Sequence, residues 1–249
     1  MGQRDVEELL TRGRDVIGRG AIAWVPAHGH EVTSERWTAM SGAPAPDFNI
    51  VLCHGVDATL VLDSMALVQE AGCPTTLMLA GRSLADAQLL LDAGWVCLDV
   101  TPVMCLEIEP SRNPPDLLVR RLTTQGLDRV RSVVVETFAL DQALASAAVP
   151  DQASSAPGCD VWVLEVDGEI RSCVLSSIVE DALVLWSMAT PPRWRRHGYA
   201  ARLLREVFSR AAPQGVASSF INSSPEGEAF YRSVGFRVIE HWQMWSRPR

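Results

Sequence analysis

The chain lacks the features that would place it outside the ordinary globular proteins. It contains no window of about 18 uncharged apolar residues, the length that spans a bilayer, and its charged start, MGQRDVEELL, has no apolar signal core. Its six cysteines form no CxxC pair and no His/Cys spacing typical of a metal site. We therefore expect buried apolar thiols, no metal, no membrane segment and a cytoplasmic location.

Positive charge is also scarce for a protein that binds polyanions. The 249 residues include 30 acidic and 22 basic side chains, which gives a formal net charge of -8. Nucleic acids and anionic membranes favour basic surfaces, and the chain has neither a Walker nor a Rossmann glycine pattern for a nucleotide. We expect neither nucleic acid nor membrane as a partner. The composition, 47% hydrophobic, fits one large or two small globular domains.

A polar, proline-rich segment divides the chain into two predicted domains. Apolar periodicity lapses across EIEPSRNPPDLLVRRL, which predicts one domain over 1–112 and another over 117–249. In the second domain, two β-rich runs meet at Asp167-Gly168 in a predicted hairpin, and helical and strand-like runs alternate from residue 182 onward. This order predicts an α/β fold in which an antiparallel meander leads into βαβ elements of one mixed sheet.

The two halves end in the same order of elements. A strand, a helix and a Gly-aromatic pair precede the last strand in each, and Gly94-Trp95 aligns with Gly235-Phe236 at an offset of 141 residues. The pattern predicts an internal repeat.

A basic cluster marks the handover from a strand to a helix in the second half. A helix N-terminus presents unpaired N–H groups and partial positive charge, so it can bind an anion such as phosphate. Gly198 permits close backbone approach, Ala200 keeps the next turn small, and Arg195 and Arg196 add charged donors. The cluster alone fits a solvated basic helix start equally well.

Its wider context adds a family resemblance. The stretch TPPRWRRHGYA, residues 190–200, resembles the V-x-P-x-x-R-x-x-G-x-G/A signature of the GNAT superfamily of N-acetyltransferases, with Thr190 in place of the aliphatic residue. Downstream, FINSSPEGEAFYRSVGF is similar to the second signature of that family. The resemblance covers about 117–249 and implies a GNAT-like acyl-CoA N-acyltransferase fold.

The resemblance also implies a binding site for acetyl-CoA as cosubstrate, between two parted strands. Strand backbone would pair with the pantetheine arm, and N–H groups of the basic turn would cradle the pyrophosphate. The implied cofactor-binding residues are Met188, Ala189, Thr190, Arg195, Arg196, His197, Gly198, Tyr199, Ala200, Ala201 and Asn222. Asn222 fits a role in simply closing its strand equally well.

Acyl transfer to an amine requires an oxyanion donor, an acid and a base. A backbone N–H at Met188 or Ala189 is the expected donor, and Tyr231 is the implied catalytic acid, with ring packing as the alternative role. The strand before the cradle has no carboxylate, although many family members carry a Glu there. The remaining candidates for the base are Glu165, Glu180, Asp181, Glu240 and His241, with water-relayed deprotonation equally open.

The first half resembles a degenerate copy of the same domain. At the offset of 141, Leu90 takes the place of Tyr231 and Gly81 that of Asn222. The cradle falls near LCHGVDATL, which has no arginine and sets Asp57 in the place of Ala200, where a carboxylate would repel pyrophosphate. His28, His30 and His54 lack the partners of a metal site, and Trp24, Trp37 and Trp95 are expected in the core.

Two functions follow from the resemblance. The first is an acetyl-CoA-dependent N-acetyltransferase that acts on a primary amine of a small molecule or a protein. The second is a non-catalytic module that binds acyl-CoA as a sensor or regulator. Tyr231 favours catalysis, whereas the missing strand carboxylate keeps the sensor open.

Overall fold

The computed structural model describes residues 3–25, 30–111 and 114–247. In chain order the elements are α1 (Gln3–Ile22), β1 (Glu31–Val32), β2 (Arg36–Met40), β3 (Asn49–Cys53), α2 (Ala58–Glu70), β4 (Thr76–Leu79), α3 (Ala87–Asp92), β5 (Val96–Glu107), β6 (Val119–Leu122), α4 (Leu127–Phe138), α5 (Ala145–Ala148), β7 (Cys159–Val166), β8 (Glu169–Val179), β9 (Ala182–Ala189), α6 (Tyr199–Ala211), β10 (Ser218–Asn222), α7 (Pro225–Ser233) and β11 (Arg237–Ser246). They form two compact units. Unit 1 contains Met1–Cys105 and Asn222–Arg249, and unit 2 contains Leu106–Ile221.

The compact units follow different bounds from the two predicted domains. The chain leaves unit 1 inside β5 and returns to it at Asn222, so α7 and β11 pack with the first half of the chain. The predicted boundary near residue 112 includes residues 112 and 113, which lie outside the described part of the chain. Packing units need not coincide with repeated copies, and the division into domains over 1–112 and 117–249 stays a prediction.

Unit 1 contains strands in the order β1-β2-β3-β4-β11-β5. β3 and β4 are parallel, while β11 runs antiparallel to both β4 and β5. A core of buried side chains lies between α2, α3 and this sheet, formed by Val51, Cys53, Val61, Met65, Leu77, Leu79, Leu90, Trp95 and Trp245. Trp24, Trp37 and Trp95 are all buried, as predicted.

Unit 2 contains strands in the order β10-β9-β8-β7-β6, with β10 parallel to β9 and the other pairs antiparallel. The predicted hairpin joins β7 to β8, where Asp167 and Gly168 adopt left-handed φ angles of 51° and 77°. Such angles at both turn residues match the right-handed twist of the flanking strands. The meander β6 to β9 followed by α6 and β10 is the predicted mixed α/β arrangement.

The internal repeat is visible in the element bounds. α2 begins at Ala58 and α6 at Tyr199, which is 141 residues later, and both helices have 13 residues. β5 begins at Val96 and β11 at Arg237, again 141 residues later. The offset deduced from two Gly-aromatic pairs therefore relates complete elements.

The helix ends before the two Gly-aromatic pairs share the same hydrogen bonds. Trp95 N donates to Leu90 O (2.9 Å), and Phe236 N donates to Tyr231 O (3.0 Å). The intervening Gly94 and Gly235 have φ angles of 78° and 104°. This is the Schellman type of helix end, in which a left-handed glycine lets two late N–H groups satisfy helix carbonyls.

Three expectations about thiols, metals and membranes meet the structure differently. All six cysteines are free, and four are buried, but Cys97 is exposed on β5 and Cys73 half-buried, so the expectation of six buried thiols is wrong. Within the described ranges, no three His, Cys, Asp or Glu side chains are grouped as a metal site, and no helix has the length and apolar character to cross a membrane. His28 lies outside those ranges.

Candidate active site

The strands β9 and β10 of unit 2 pair only at their beginnings. Their register joins Ser218 to Ala182 and ends where Phe220 meets Val184. β9 continues for another five residues, 185–189, with β8 on one side and no strand partner on the other among the described residues. The backbone groups of this free edge are therefore available to an extended ligand.

A β-bulge at Ser187 lies in that free portion of β9. Trp186 pairs with Leu175 and Ala189 with Cys173, so β9 has one residue more than β8 between these two pairs. Ser187 has a φ of 45°, a left-handed angle that is rare for a non-glycine residue within a strand. Sequence analysis missed the bulge, because an extra residue leaves no distinct trace in apolar periodicity.

The turn that leads into α6 contains two left-handed residues. After a short 3-10 turn over Pro192–Trp194, Arg196 has a φ of 63° and Gly198, the N-cap of α6, a φ of 77°. A Cβ atom built on Gly198 would meet no atom within 4 Å. The first N–H groups of α6 have no carbonyl inside the helix, so the turn offers open space and unpaired donors together.

The charges beside this turn are partly compensated. Arg193 forms an ion pair with Glu136, and Arg202 forms one with Asp116, which lowers the pKa of that carboxyl. Arg195 is different, because its Nε donates to Thr190 O (3.2 Å) and its guanidinium to Thr137 O (3.4 Å). Carbonyl partners orient the guanidinium without cancelling its charge, so Arg195 remains suited to an anion.

Aromatic rings brace the same turn. The His197 ring stacks on Tyr199 at 5.8 Å, and its Nδ1 lies 2.8 Å from Arg195 O. Trp194 contacts both rings edge-on, and the buried guanidinium of Arg171 lies 3.5 Å from the centroid of the Trp194 ring. These contacts hold the predicted cradle, residues 195–201, in one conformation.

The other two predicted site residues belong to unit 1. Tyr231 is buried in α7, where its ring packs against Phe230 and Phe236, and burial raises the pKa of its phenol above the ordinary value. The side-chain amide of Asn222 donates to Thr101 Oγ1 (2.9 Å). Tyr231 is thus a protonated donor near neutral pH, and Asn222 has at least a structural bond at the end of its strand.

Two candidate bases are held in ion pairs. Glu165 accepts hydrogen bonds from Arg120 and Arg129, and these arginines lower the pKa of its carboxyl. The Glu240 carboxylate accepts from Arg14, from Gly81 N and from Trp242 Nε1. Both carboxylates have structural partners and are poorly suited to removing a substrate proton.

Two other candidates lie at the wrong end of β9. Glu180 and Asp181 precede the first residue of the strand, about eight strand steps from Ala189, or roughly 25 Å at 3.3 Å per residue. His241, the remaining candidate, is exposed on β11. The local geometry therefore favours His241 or a water-relayed deprotonation.

The corresponding region of unit 1 differs in three ways. β3 and β4 pair along their whole length, from Ile50 to Cys53, and Ala80 N extends the pairing to Cys53 O (2.9 Å). Only residues 54–56 separate β3 from the helix cap, whereas residues 190–197 do so in unit 2. The cap is Asp57, whose carboxylate accepts from Thr59 N (2.9 Å).

The position of Asp57 corrects the sequence alignment. Asp57 was aligned with Ala200, but it precedes α2 as Gly198 precedes α6, so Gly198 is its counterpart. The correction strengthens the expected loss of phosphate binding, because the carboxylate occupies the helix cap itself.

A cavity of about 570 Å³ lies elsewhere in unit 1, between the β1–β2 hairpin and the end of α2. Its lining includes His30, Glu31, Met40 and Glu70, and none of the predicted site residues. The predicted cofactor site is instead the open edge of β9 and the turn that follows.

Comparison with known proteins bears on this arrangement. Residues 157–238 match the family model described as Acetyltransferase (GNAT) domain. The C-terminal half of this chain contains a GNAT acetyltransferase domain. The matched range runs from just before β7 to the start of β11 and includes both signatures, so the predicted resemblance is confirmed. No curated protein matches the sequence.

Solved structures extend the likeness to the whole chain. A GCN5-related N-acetyltransferase from Kribbella flavida has a TM-score of 0.70 at 11% identity, with 97% of this chain and 96% of that one covered. One from Sphaerobacter thermophilus gives 0.57 at 14% identity over 98% and 94%. A GNAT-family protein from Novosphingobium aromaticivorans gives 0.57 at 15% identity over 88% and 92%. These likenesses confirm the GNAT-like α/β fold and are consistent with a tandem arrangement.

Proposed function

We propose that the GNAT domain transfers the acetyl group of acetyl-CoA to a primary amine by direct attack on the thioester. The observation that carries this proposal is the parting of β9 from β10 directly before the left-handed turn at Gly198. A free strand edge and an unpaired helix N-terminus, adjacent along the chain, fit the two parts of a pantetheine diphosphate.

The residues of unit 2 would bind and orient this cosubstrate. The free backbone of Met188, Ala189 and Thr190 would pair with the amides of the pantetheine arm. N–H groups from Arg195 to Ala201 would surround the diphosphate, and the uncompensated Arg195 charge would add attraction. The open space at the Gly198 Cβ position is where this turn admits a phosphate group.

The chemistry needs a neutral amine and a stabilised oxyanion. An alkylamine of pKa about 10.4 is neutral in about one molecule per thousand at pH 7, which costs about 4 to 5 kcal/mol unless a proton acceptor assists. The amine nitrogen forms a bond to the carbonyl carbon, the C–S bond breaks, and the amine proton passes to water or to His241. A backbone N–H at Met188 or Ala189 would donate to the oxyanion.

Tyr231 would donate a hydrogen bond to the departing sulfur. Its raised pKa keeps the proton on the phenol, so a strong hydrogen bond that completes transfer late suits it better than prior ionisation. With Asn222, it contributes from unit 1 what unit 2 lacks in side-chain acids beside β9.

The alternative is an acyl-CoA sensor without turnover. It is favoured by one observation, the lack of any carboxylate on β9 together with the structural bonds of Glu165 and Glu240. A sensor and an enzyme would bind the cosubstrate alike and would differ only in whether an acceptor consumes it.

Release of free thiol from acetyl-CoA tests the proposal. The acceptors are alkylamines, amino sugars, and peptides with a free N-terminus or a lysine, each at several pH values. We expect turnover with at least one class and a rate that rises with the neutral fraction of the amine. The chain contains no lysine, because all 22 basic residues of the Lys+Arg class are arginine, so acetyl-lysine in the mixture must come from the acceptor. Tight CoA binding without thiol release on any acceptor would instead identify a sensor.

A further inference from the structure

The Ser187 hydroxyl links the β9 bulge to a neighbouring helix. Ser187 Oγ donates to Ala148 O at 3.2 Å, at the C-terminal end of α5. That carbonyl lies in the last turn of the helix, where no later helical N–H satisfies it. The bulge is therefore held by a side-chain bond as well as by its pairing with β8.

The receiving end of this bond is itself anchored. Arg131, on α4, donates to Val149 O (3.0 Å) and forms ion pairs with Asp128 and Asp151. Ala148 and Val149 are both buried. The Ser187 hydroxyl thus bonds to a fixed point and can hold the backbone of β9 in place.

The conformation of Ser187 needs such support. A left-handed angle costs a non-glycine residue free energy and persists only when surrounding contacts determine it. The bulge directly precedes Met188 and Ala189, whose N–H groups are the expected oxyanion donors. A small change in the bulge would rotate the peptide planes that carry these donors.

We propose that Ser187 is a positioning residue whose hydroxyl, bound to the Ala148 carbonyl, aims the backbone N–H of Met188 or Ala189 at the thioester carbonyl. This inference rests on the proposed acetyl-CoA site. It assigns to Ser187 the geometry of the oxyanion donor, whereas binding of the diphosphate is left to the turn at Gly198.

Two substitutions separate the hydroxyl from the backbone angle. Ser187→Ala removes the hydroxyl and keeps a Cβ, and Ser187→Gly removes the hydroxyl while making the left-handed angle easy. Ser132→Ala is the matched control, because Ser132 Oγ also donates to a backbone carbonyl of unit 2, Asp128 O at 2.9 Å, but within α4.

The measurement is the carbonyl ¹³C resonance of [1-¹³C]acetyl-CoA bound to the whole protein without an acceptor, with dissociation constants for acetyl-CoA and CoA. We expect a downfield displacement in wild type that both Ser187 variants lose, and a fall of about fivefold in the preference for acetyl-CoA over CoA, while CoA affinity stays within twofold. Ser132→Ala should retain both signals.

An unchanged displacement and preference in Ser187→Gly would overturn the inference, as would a wild-type resonance that binding does not move. A fall in thermal stability of Ser187→Ala alone, with the glycine variant fully functional, would show that only the backbone angle matters and would also overturn it. The readout requires no turnover, so a failure to acetylate any amine refutes the proposed function separately.

Discussion

Substituting Gly198 by alanine tests the cradle most directly. A left-handed φ of 77° costs an alanine about 1 to 2 kcal/mol relative to glycine, and no atom lies within 4 Å of the new Cβ to add a clash. In a chain of this size each kcal/mol of that cost lowers Tm by about 2–4 °C. The added methyl group would occupy the space through which a diphosphate reaches the N–H groups of α6. We expect the dissociation constant for CoA, measured by calorimetry, to rise at least tenfold.

Gly215→Ala supplies the control within the same unit. Gly215 has a φ of 87°, and a Cβ there also meets no atom within 4 Å, but it lies between α6 and β10, away from the cradle. Its stability loss should match that of Gly198→Ala, while CoA affinity stays within twofold of wild type. If both variants bind CoA equally well, the diphosphate does not lie against Gly198 and the cradle assignment is wrong.

Three further predictions concern charge, acid catalysis and pH. Arg195→Ala should weaken CoA binding about tenfold, and less so at high salt, whereas Arg193→Ala should change it less than threefold because Glu136 already compensates that charge; titrations at two ionic strengths check both. Tyr231→Phe should lower kcat about 100-fold with little change in Tm, since the ring packing remains, and the pH–rate profile should show no alkaline limb from this phenol below pH 10. Burial lowers the pKa of His54 to about 4, so the unfolded chain binds more protons between pH 6.5 and 4; stability should fall as the pH drops through that window, and Tm of His54→Gln should fall less steeply.

Local signals predicted much of the C-terminal half. The left-handed Asp167-Gly168 turn and the Ser224 cap, whose side chain accepts from Gly227 N (3.2 Å), each depend on residues within a few positions of one another. The helix after Gly198 begins where the basic cluster predicted it. These features follow from backbone preferences that a sequence displays directly.

Nonlocal features were not accessible in the same way. The pairing of β11 with β4 joins residues such as Met244 and Met78, and no pattern in either strand specifies the partner. The bulge at Ser187 depends on the register against β8, which periodicity does not reveal. Asp57 was misaligned because the loop before α2 is shorter than its counterpart, and a constant offset cannot represent a change in loop length.

The comparison of the two copies shows what distinguishes an open cleft from a closed one. β3 pairs regularly with β2 on one side and with β4 on the other, and its register has no shift, so its backbone groups are all used within the sheet. β9 carries a bulge against β8 and loses β10 after Val184. The helices that follow are equally long, which makes the strand and its loop the points of divergence. Backbone that is free of ladder partners must find others or remain solvated, so the edge of β9 is where a ligand gains most by binding.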